Sequence, residues 1–280
     1  MTEPTCFKVS IENNVAHIVL NRPEAFNAMP RPFWNELPAI VNDINDNAKA
    51  RVIVISSTGK HFTAGMDISV FTDGEGISAQ GGDQYTRAES FRQFVLTLQG
   101  TFNCLDNARI PVIAAVQGGC IGAGVDMTSA CDIRFCTEDA FFQIAEINIG
   151  MTADVGTFPR LCKLIPEGWV RELAYSGRRL PAEKAKAIGL VNETFATQEA
   201  MIAHVLELAR EIAEKAPVAV AGSKRMINHA RDHSIADGLD YIATWQAGMF
   251  SPPHMMEAFA AKAQKRAPNF ADLAPLRKEM

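Results

Sequence analysis

The stretch Pro111-Val-Ile-Ala-Ala-Val-Gln-Gly-Gly-Cys-Ile-Gly-Ala-Gly-Val-Asp126 decides how this chain folds. Its first half is a short apolar run, as expected of a strand covered on both faces. Its second half is rich in glycine and runs into an apolar, helix-like segment ending near Cys131. The same order occurs earlier, where Arg51-Val-Ile-Val-Ile-Ser56 leads to Phe62-Thr-Ala-Gly-Met-Asp67. Glycine lets the backbone approach a ligand closely, and a helix N-terminus leaves N–H donors unpaired. Two such turns side by side can hold one carbonyl oxygen, the geometry of an oxyanion hole. The alternative is that the glycines only permit tight strand-to-helix packing. A dinucleotide fingerprint is not met, because Gly122-Ala-Gly124 would need a third glycine at Met127.

Working outward, Phe7-Lys-Val-Ser-Ile-Glu12 and Val15-Ala-His-Ile-Val-Leu20 flank Asn13-Asn14 and predict a β-hairpin. Pro30 and Pro32 suit a helix start, and Phe33, Leu37, Ile40, Val41 and Ile44 follow at helical spacing. Phe91, Phe94, Val95, Leu98, Phe102 and Leu105 form a second helical stripe, expected to face the core. Between them, residues 74–82 are polar and glycine-rich and predict a surface loop. Phe71, Thr72 and that loop are candidates for lining a ligand cavity. Ile133-Arg-Phe-Cys136 and Ala140-Phe-Phe-Gln-Ile144 predict short strands. Helical patterns or caps then mark 156–164, 168–175, 181–188, 197–215, 217–229 and 235–249. The expected fold class is α/β, with a core over residues 1–200 and a helical region over 201–280.

With 280 residues, 48% of them hydrophobic, the chain can bury a full core. Its net charge of −5 supplies no general field for nucleic acid or an anionic membrane, so neither is an expected partner. Six cysteines show no metal-ligand spacing, which suits a reducing, cytoplasmic setting. The first ten residues lack the pattern of a signal peptide, the apolar run 110–125 is too broken to span a bilayer, and Leu-Arg-Lys-Glu-Met at the end matches no sorting address. The histidines are scattered. Only His229 and His233 share helical spacing, and no metal site is expected from them. Lys224, Arg225, Arg231 and the basic residues of 262–266 read as solvated helix faces or, less often, as phosphate contacts.

Three carboxylates stand in apolar or glycine-rich company: Asp126, Glu146 and Asp154. Such residues are caps, ion-pair partners or functional groups. Gathered in one low-dielectric pocket they could not all ionise, so one residue type would supply both an acid and a base.

Four segments in register, Leu20-Asn-Arg-Pro-Glu-Ala-Phe-Asn-Ala-Met29, Phe62-Thr-Ala-Gly-Met-Asp67, Ile113-Ala-Ala-Val-Gln-Gly-Gly-Cys-Ile-Gly-Ala-Gly124 and Ala130-Cys-Asp-Ile133, resemble the crotonase (enoyl-CoA hydratase/isomerase) superfamily over nearly the whole chain. The resemblance implies a spiral of ββα turns, a C-terminal helical region used in trimerisation, and trimers that pair into hexamers. It implies an acyl-CoA substrate of lipid metabolism, coenzyme A being part of the substrate, with no separate cofactor. It places oxyanion donors at the N–H groups of Met66 and Ala123. It gives contacts with the CoA ester to Ala25, Asn27, Ala64, Gly65, Met66, Asp67, Ile68 and Gly124. Hydratases of the family carry glutamates at the positions of both Asp126 and Glu146, whereas this chain has the shorter aspartate at the first. The segment from Gly118 through Thr137, with Glu146 and Ala153-Asp154-Val-Gly-Thr157, is most similar to the Δ3,5-Δ2,4-dienoyl-CoA isomerase branch. There, an aspartate at the Asp154 position is the discriminating residue. The resemblance thus implies that Glu146 and Asp154 move protons at the two ends of a dienoyl group, with Asp126 tuning Glu146. Enoyl-CoA hydration and non-catalytic CoA-ester binding are the alternatives.

Overall fold

The computed structural model describes residues 4–72 and 82–277. Strands β1 (Phe7–Glu12) and β2 (Val15–Leu20) form the expected antiparallel hairpin, with Asn13 and Asn14 both at positive φ in its turn. Asparagine tolerates that conformation better than other side chains. Beyond it come α1 (Arg31–Asp46), β3 (Val52–Ser57), α2 (Ser69–Thr72), α3 (Gln84–Asn107), β4 (Val112–Val116), β5 (Gly119–Ile121) and α4 (Ala123–Ser129). Strands β6 (Ile133–Thr137) and β7 (Phe141–Gln143) precede α5 (Thr157–Leu164), α6 (Glu167–Ser176), β8 (Leu180–Pro181), α7 (Ala182–Ala187) and β9 (Glu193–Phe195). Four helices complete the chain: α8 (Gln198–Ala213), α9 (Pro217–Ala230), α10 (Ile235–Met249) and α11 (Pro252–Gln264).

The main sheet has the order β1-β2-β3-β4-β6-β9 and is parallel from β2 onward. From β2 to β6, each strand hands the chain to a second, smaller layer and then to a helix. Strand β2 passes through Met29 to α1, β3 through Thr63 and Met66 to α2, β4 through β5 to α4, and β6 through β7 to α5. The small layer is joined by the parallel bridges Met29↔Met66 and Thr63↔Cys120, by parallel β5–β7 pairing and by antiparallel β7–β8 pairing. This is a spiral of ββα turns. Strands β5, β8 and β9 and helix α11 were not expected; strands of two or three residues are too short to show alternation, and the glycines of 118–122 mimic a simple turn.

Side-chain alternation divides the sheet's two faces. Val52, Val54, Ile113 and Ala115 meet Met201, Val205, Ala209 and Ala213 of α8, whereas Ile53, Ile55, Val112, Ala114 and Val116 face the larger core with α1 and α3. Helix α8 starts at the expected division near residue 200 and lies on the sheet as the cover of one face. The segments that extend beyond the sheet therefore begin with α9. The chain beyond α11 returns to the core: Arg51 binds Asp272 Oδ1 and the Phe270 carbonyl, both at 2.6 Å, and Arg109 reaches the Ala274 carbonyl at 3.0 Å. Of the expected loop 74–82, residues 74–81 lie outside the described residues, as do the side chains of Phe71 and Thr72. Asp83 then caps α3, accepting from the N–H groups of Tyr85 and Thr86.

Lys224 corrects its expected place on a solvated face. It is buried, with Nζ 2.8 Å from Asp132 Oδ2, and donates to the carbonyls of Leu105 (2.9 Å) and Ile110 (3.1 Å). The cation thus clips α9 to the end of α3 and the start of β4. All of its donors are used, so none is left for a phosphate. Breaking one half of a buried pair leaves an uncompensated charge. We expect Lys224→Met to destabilise the fold by about 3 kcal/mol, seen as a lower urea midpoint.

Candidate active site

The two glycine turns cross in the small layer. Thr63 N–H donates to the Gly119 carbonyl at 3.1 Å and the Thr63 carbonyl accepts from Ile121 N–H at 3.2 Å. A third strap joins from the other side: Met29 N–H donates to the Gly65 carbonyl (2.8 Å) and Asp67 N–H to the Met29 carbonyl (3.0 Å). The N–H groups of Met66 and Ala123 take no part in these bonds. Gly65 has φ +87°, and a Cβ there would come 2.7 Å from the Ile121 carbonyl and 3.5 Å from the Ala123 nitrogen. Only glycine allows the turns to approach so closely. Gly122 has φ +54°, and a Cβ on it would sit 3.2 Å from Glu146 Oε1. It is a site residue that its motif alone did not single out.

A cavity of ≈ 520 Å³ opens beside the crossing. Ala64, Gly65, Met66, Ile68, Gly122, Ala123, Glu146 and Asp154 all line it. Its apolar wall includes Phe91, Phe94, Val95 and Leu98 of α3, with Ile149 and Met151. This revises the helical stripe: Phe102 and Leu105 are buried in the core, but the stripe's first half faces the cavity. Helical periodicity identifies an apolar face and cannot distinguish a core from a ligand on its far side.

The expected CoA-ester contacts divide. Ile68 stands at the mouth, 76% exposed. Ala25 ends a 3-10 turn, half-buried and outside the cavity lining. The Asn27 side chain is structural: Oδ1 accepts from Arg22 N–H (2.8 Å), and Nδ2 donates to the carbonyls of Thr58 (2.7 Å) and His61 (3.0 Å). Asp67 accepts from Ser69 N–H at 3.0 Å, which holds its carboxyl below the usual aspartate range, and lies 3.8 Å from Arg22. Gly124 is buried against Thr63, whose Cγ2 would be 2.4 Å from a Cβ at 124. It serves packing and does not reach the cavity.

The three acids are brought together. Glu146 opens a 3-10 turn, Glu146–Ile149, closed by Gly150 at φ +76°. Burial first, and then the charge of Asp154, push the Glu146 carboxyl up; burial alone raises Asp154. Asp154 projects from the segment before α5, and its carbonyl accepts from Gln99 Nε2 at 2.7 Å. Asp126 sits behind the cavity, 0% exposed, its Oδ1 accepting the Thr157 N–H at 2.6 Å. Burial, followed by the charge of Glu146, pushes Asp126 up to about 7 despite that hydrogen bond. Asp126 Oδ2, Glu146 Oε2 and Thr157 Oγ1 are buried without protein partners among the described residues. Burial thus raises all three carboxyls above their ordinary values, the condition under which one member of a carboxyl pair can hold a proton while another is ionised.

Comparison with known proteins assigns the chain to a family. Residues 10–273 match the enoyl-CoA hydratase/isomerase family. The chain is 43% identical to the mitochondrial Δ3,5-Δ2,4-dienoyl-CoA isomerase of Mus musculus, over 92% of this chain and 79% of the relative. It is 37% identical to the peroxisomal Δ3,5-Δ2,4-dienoyl-CoA isomerase of Arabidopsis thaliana, over 94% of each. The crystal structure of an enoyl-CoA hydratase from Bacillus anthracis superposes with a TM-score of 0.84 at 28% identity, covering 95% of this chain and 99% of that one. In fold and in sequence, the chain belongs to the enoyl-CoA hydratase/isomerase family.

Proposed function

We propose that this chain isomerises 3,5-dienoyl-CoA to 2,4-dienoyl-CoA. The observation that carries the proposal is that two carboxyls raised by burial, Glu146 and Asp154, line one apolar cavity at the crossing of the glycine turns. The names of the mouse and Arabidopsis relatives support the same reaction. The thioester oxygen accepts the N–H groups of Met66 and Ala123, which bind a dienolate oxygen more strongly than a neutral carbonyl. Glu146 as carboxylate takes a proton from C2. The C2–H electrons become the C2–C3 double bond, the C3–C4 double bond shifts to C4–C5, and the C5–C6 electrons take a proton from Asp154 at C6. Only protons move, so the reaction as proposed requires no cofactor beyond the CoA of the substrate.

Hydration needs a second carboxylate beside the first to hold water. Asp126 lies outside the cavity lining with one oxygen engaged by Thr157 N–H, which favours isomerisation over hydration. A purely binding role gives no reason for three raised, destabilising carboxyls around one wall.

The exposed apolar residues of α9 to α11, among them Ile235 (84% exposed), Leu239, Phe250 and Phe259, support a homotrimer, or two trimers paired, as the working form. No helix among the described residues is long and apolar enough to cross a membrane. Cys104, Cys120, Cys131 and Cys136 are buried free thiols, which suits a reducing compartment such as the cytoplasm, while relatives are named for mitochondria and peroxisomes.

With 3,5-octadienoyl-CoA, diene formation followed by absorbance should far exceed hydration of a 2-enoyl-CoA. Asp154→Asn should cut diene formation by about 10²- to 10⁴-fold while the CoA ester still binds; full activity would overturn the assigned roles. The pH profile of kcat/KM should be bell-shaped, because the reaction needs one carboxyl of the Glu146–Asp154 pair ionised and the other protonated, and both limbs should lie above the ordinary carboxylate range because burial raises both groups. Light scattering should give three or six times the chain mass.

A further inference from the structure

The segment that carries Ala123 is set in place by a side chain that no motif singles out. Residues 62–63 and 117–121 run parallel, and Phe62 N–H donates to the Gln117 carbonyl at 2.8 Å ahead of the Thr63 rungs. By the parallel pattern, Gly119 N–H should meet the carbonyl of His61, two residues before Thr63. That carbonyl is turned away and accepts from Asn27 Nδ2 and, at 3.3 Å, from Ser57 Oγ. The imidazole of the same residue takes its place: Gly119 N–H donates to His61 Nδ1 at 2.9 Å. The ring is held between Phe26 (centroids 5.5 Å apart) and the edge of Phe141 (6.2 Å). A Cβ at Gly118 or Gly119 would come 2.9 Å or 3.3 Å from Nδ1, so both glycines make room for it.

We propose that His61 is a positioning residue for the Ala123 N–H: its neutral ring, with the proton on Nε2, completes the ladder and fixes the height of β5 against the first turn. The proposal rests on the oxyanion role given above to Met66 and Ala123. Gly119 is buried, so an orphaned N–H there has no water to turn to. Four residues later the same backbone presents the N–H that must match Met66.

A proton on Nδ1 turns the acceptor into a donor facing another donor, and the rung breaks. The charged groups facing the ring are Lys60 on its own segment, Arg179 ahead of β8 and Asp139 between β6 and β7. Burial first, then the two cations, hold the imidazole below its ordinary value, with Asp139 opposing. The rung is therefore present above that lowered value and is lost as the pH falls through it.

His61→Leu and His61→Asn test this, the asparagine Oδ1 replacing Nδ1 as acceptor without titrating near neutrality. We expect His61→Leu to lower kcat about tenfold or more with KM little changed, and His61→Asn to recover most of that loss and to lack one ionisation from the acid limb. An acid limb identical in wild type and His61→Asn, or a His61→Leu loss that merely follows the fraction unfolded, would overturn the proposal. A second probe separates this from the reaction itself: the ultraviolet band of enolate formed by bound acetoacetyl-CoA needs the two N–H groups and no diene chemistry. If dienes are not turned over, but this band weakens at low pH more in wild type than in His61→Asn, the positioning role stands and the isomerase proposal fails. If dienes are turned over equally by all three proteins, the positioning role fails and the isomerase proposal stands.

Discussion

The crossing at Thr63 is the constraint on which the rest of the structure depends. This fully buried residue uses its N–H and carbonyl to join the second turn, its hydroxyl donates to the Asn27 carbonyl at 2.7 Å, and the same oxygen accepts from Gly65 N–H at 3.1 Å. Three stretches far apart in sequence are thereby locked in one register. A one-residue slip would turn Thr63 out of this network and bring a side chain into the contact that Gly65 or Gly124 keeps clear. The main sheet and its covering helices supply the stiffness; Thr63 sets where the turns lie.

Burial has opposite consequences in the two halves of the site. For the backbone it is favourable in the proposed mechanism: N–H groups in a dry crossing would act on a developing negative charge with little competition from water. For the carboxylates it is costly, and the protein partly offsets that cost by placing the Thr157 N–H, at the start of α5, on Asp126. Asp126 is the most enclosed of the three and has the most negative company, since both Glu146 and Asp154 act to raise it. Its charge state is therefore set by its neighbours' charge states, which is how a residue outside the cavity lining can influence one inside it.

The architecture was legible in the sequence because its signals are long or chemically specific. The hairpin with Asn13-Asn14, the proline-led α1 and the fully apolar β3 and β4 each satisfy one secondary-structure period. The gathering of Asp126, Glu146 and Asp154 was legible from their apolar company. Roles that depend on which neighbour a residue meets were not. Lys224 has the composition of a surface helix and lies in the core; Phe91 and Phe94 have the periodicity of a core helix and line a cavity; Gly124 sits in a ligand-binding motif and serves packing. His61 carries no pattern at all, because its partner is a backbone N–H 58 residues away.

Helix α3 shows why one element can serve stability and specificity without conflict. Its C-terminal half buries Phe102 and Leu105 against α1 and the sheet, and that burial, roughly 1.5–3 kcal/mol per large apolar side chain, anchors the helix whether or not ligand is present. Its N-terminal half turns the same apolar stripe, as Phe91, Phe94 and Val95, toward the cavity. An acyl chain entering there completes a hydrophobic face that the fold alone leaves incomplete. Because the anchor and the cavity wall share one rigid helix, a change of side chain at Phe94 alters the shape of the cavity without moving the glycine turns proposed to hold the thioester. Chain-length preference can thus vary independently of the proton-transfer site.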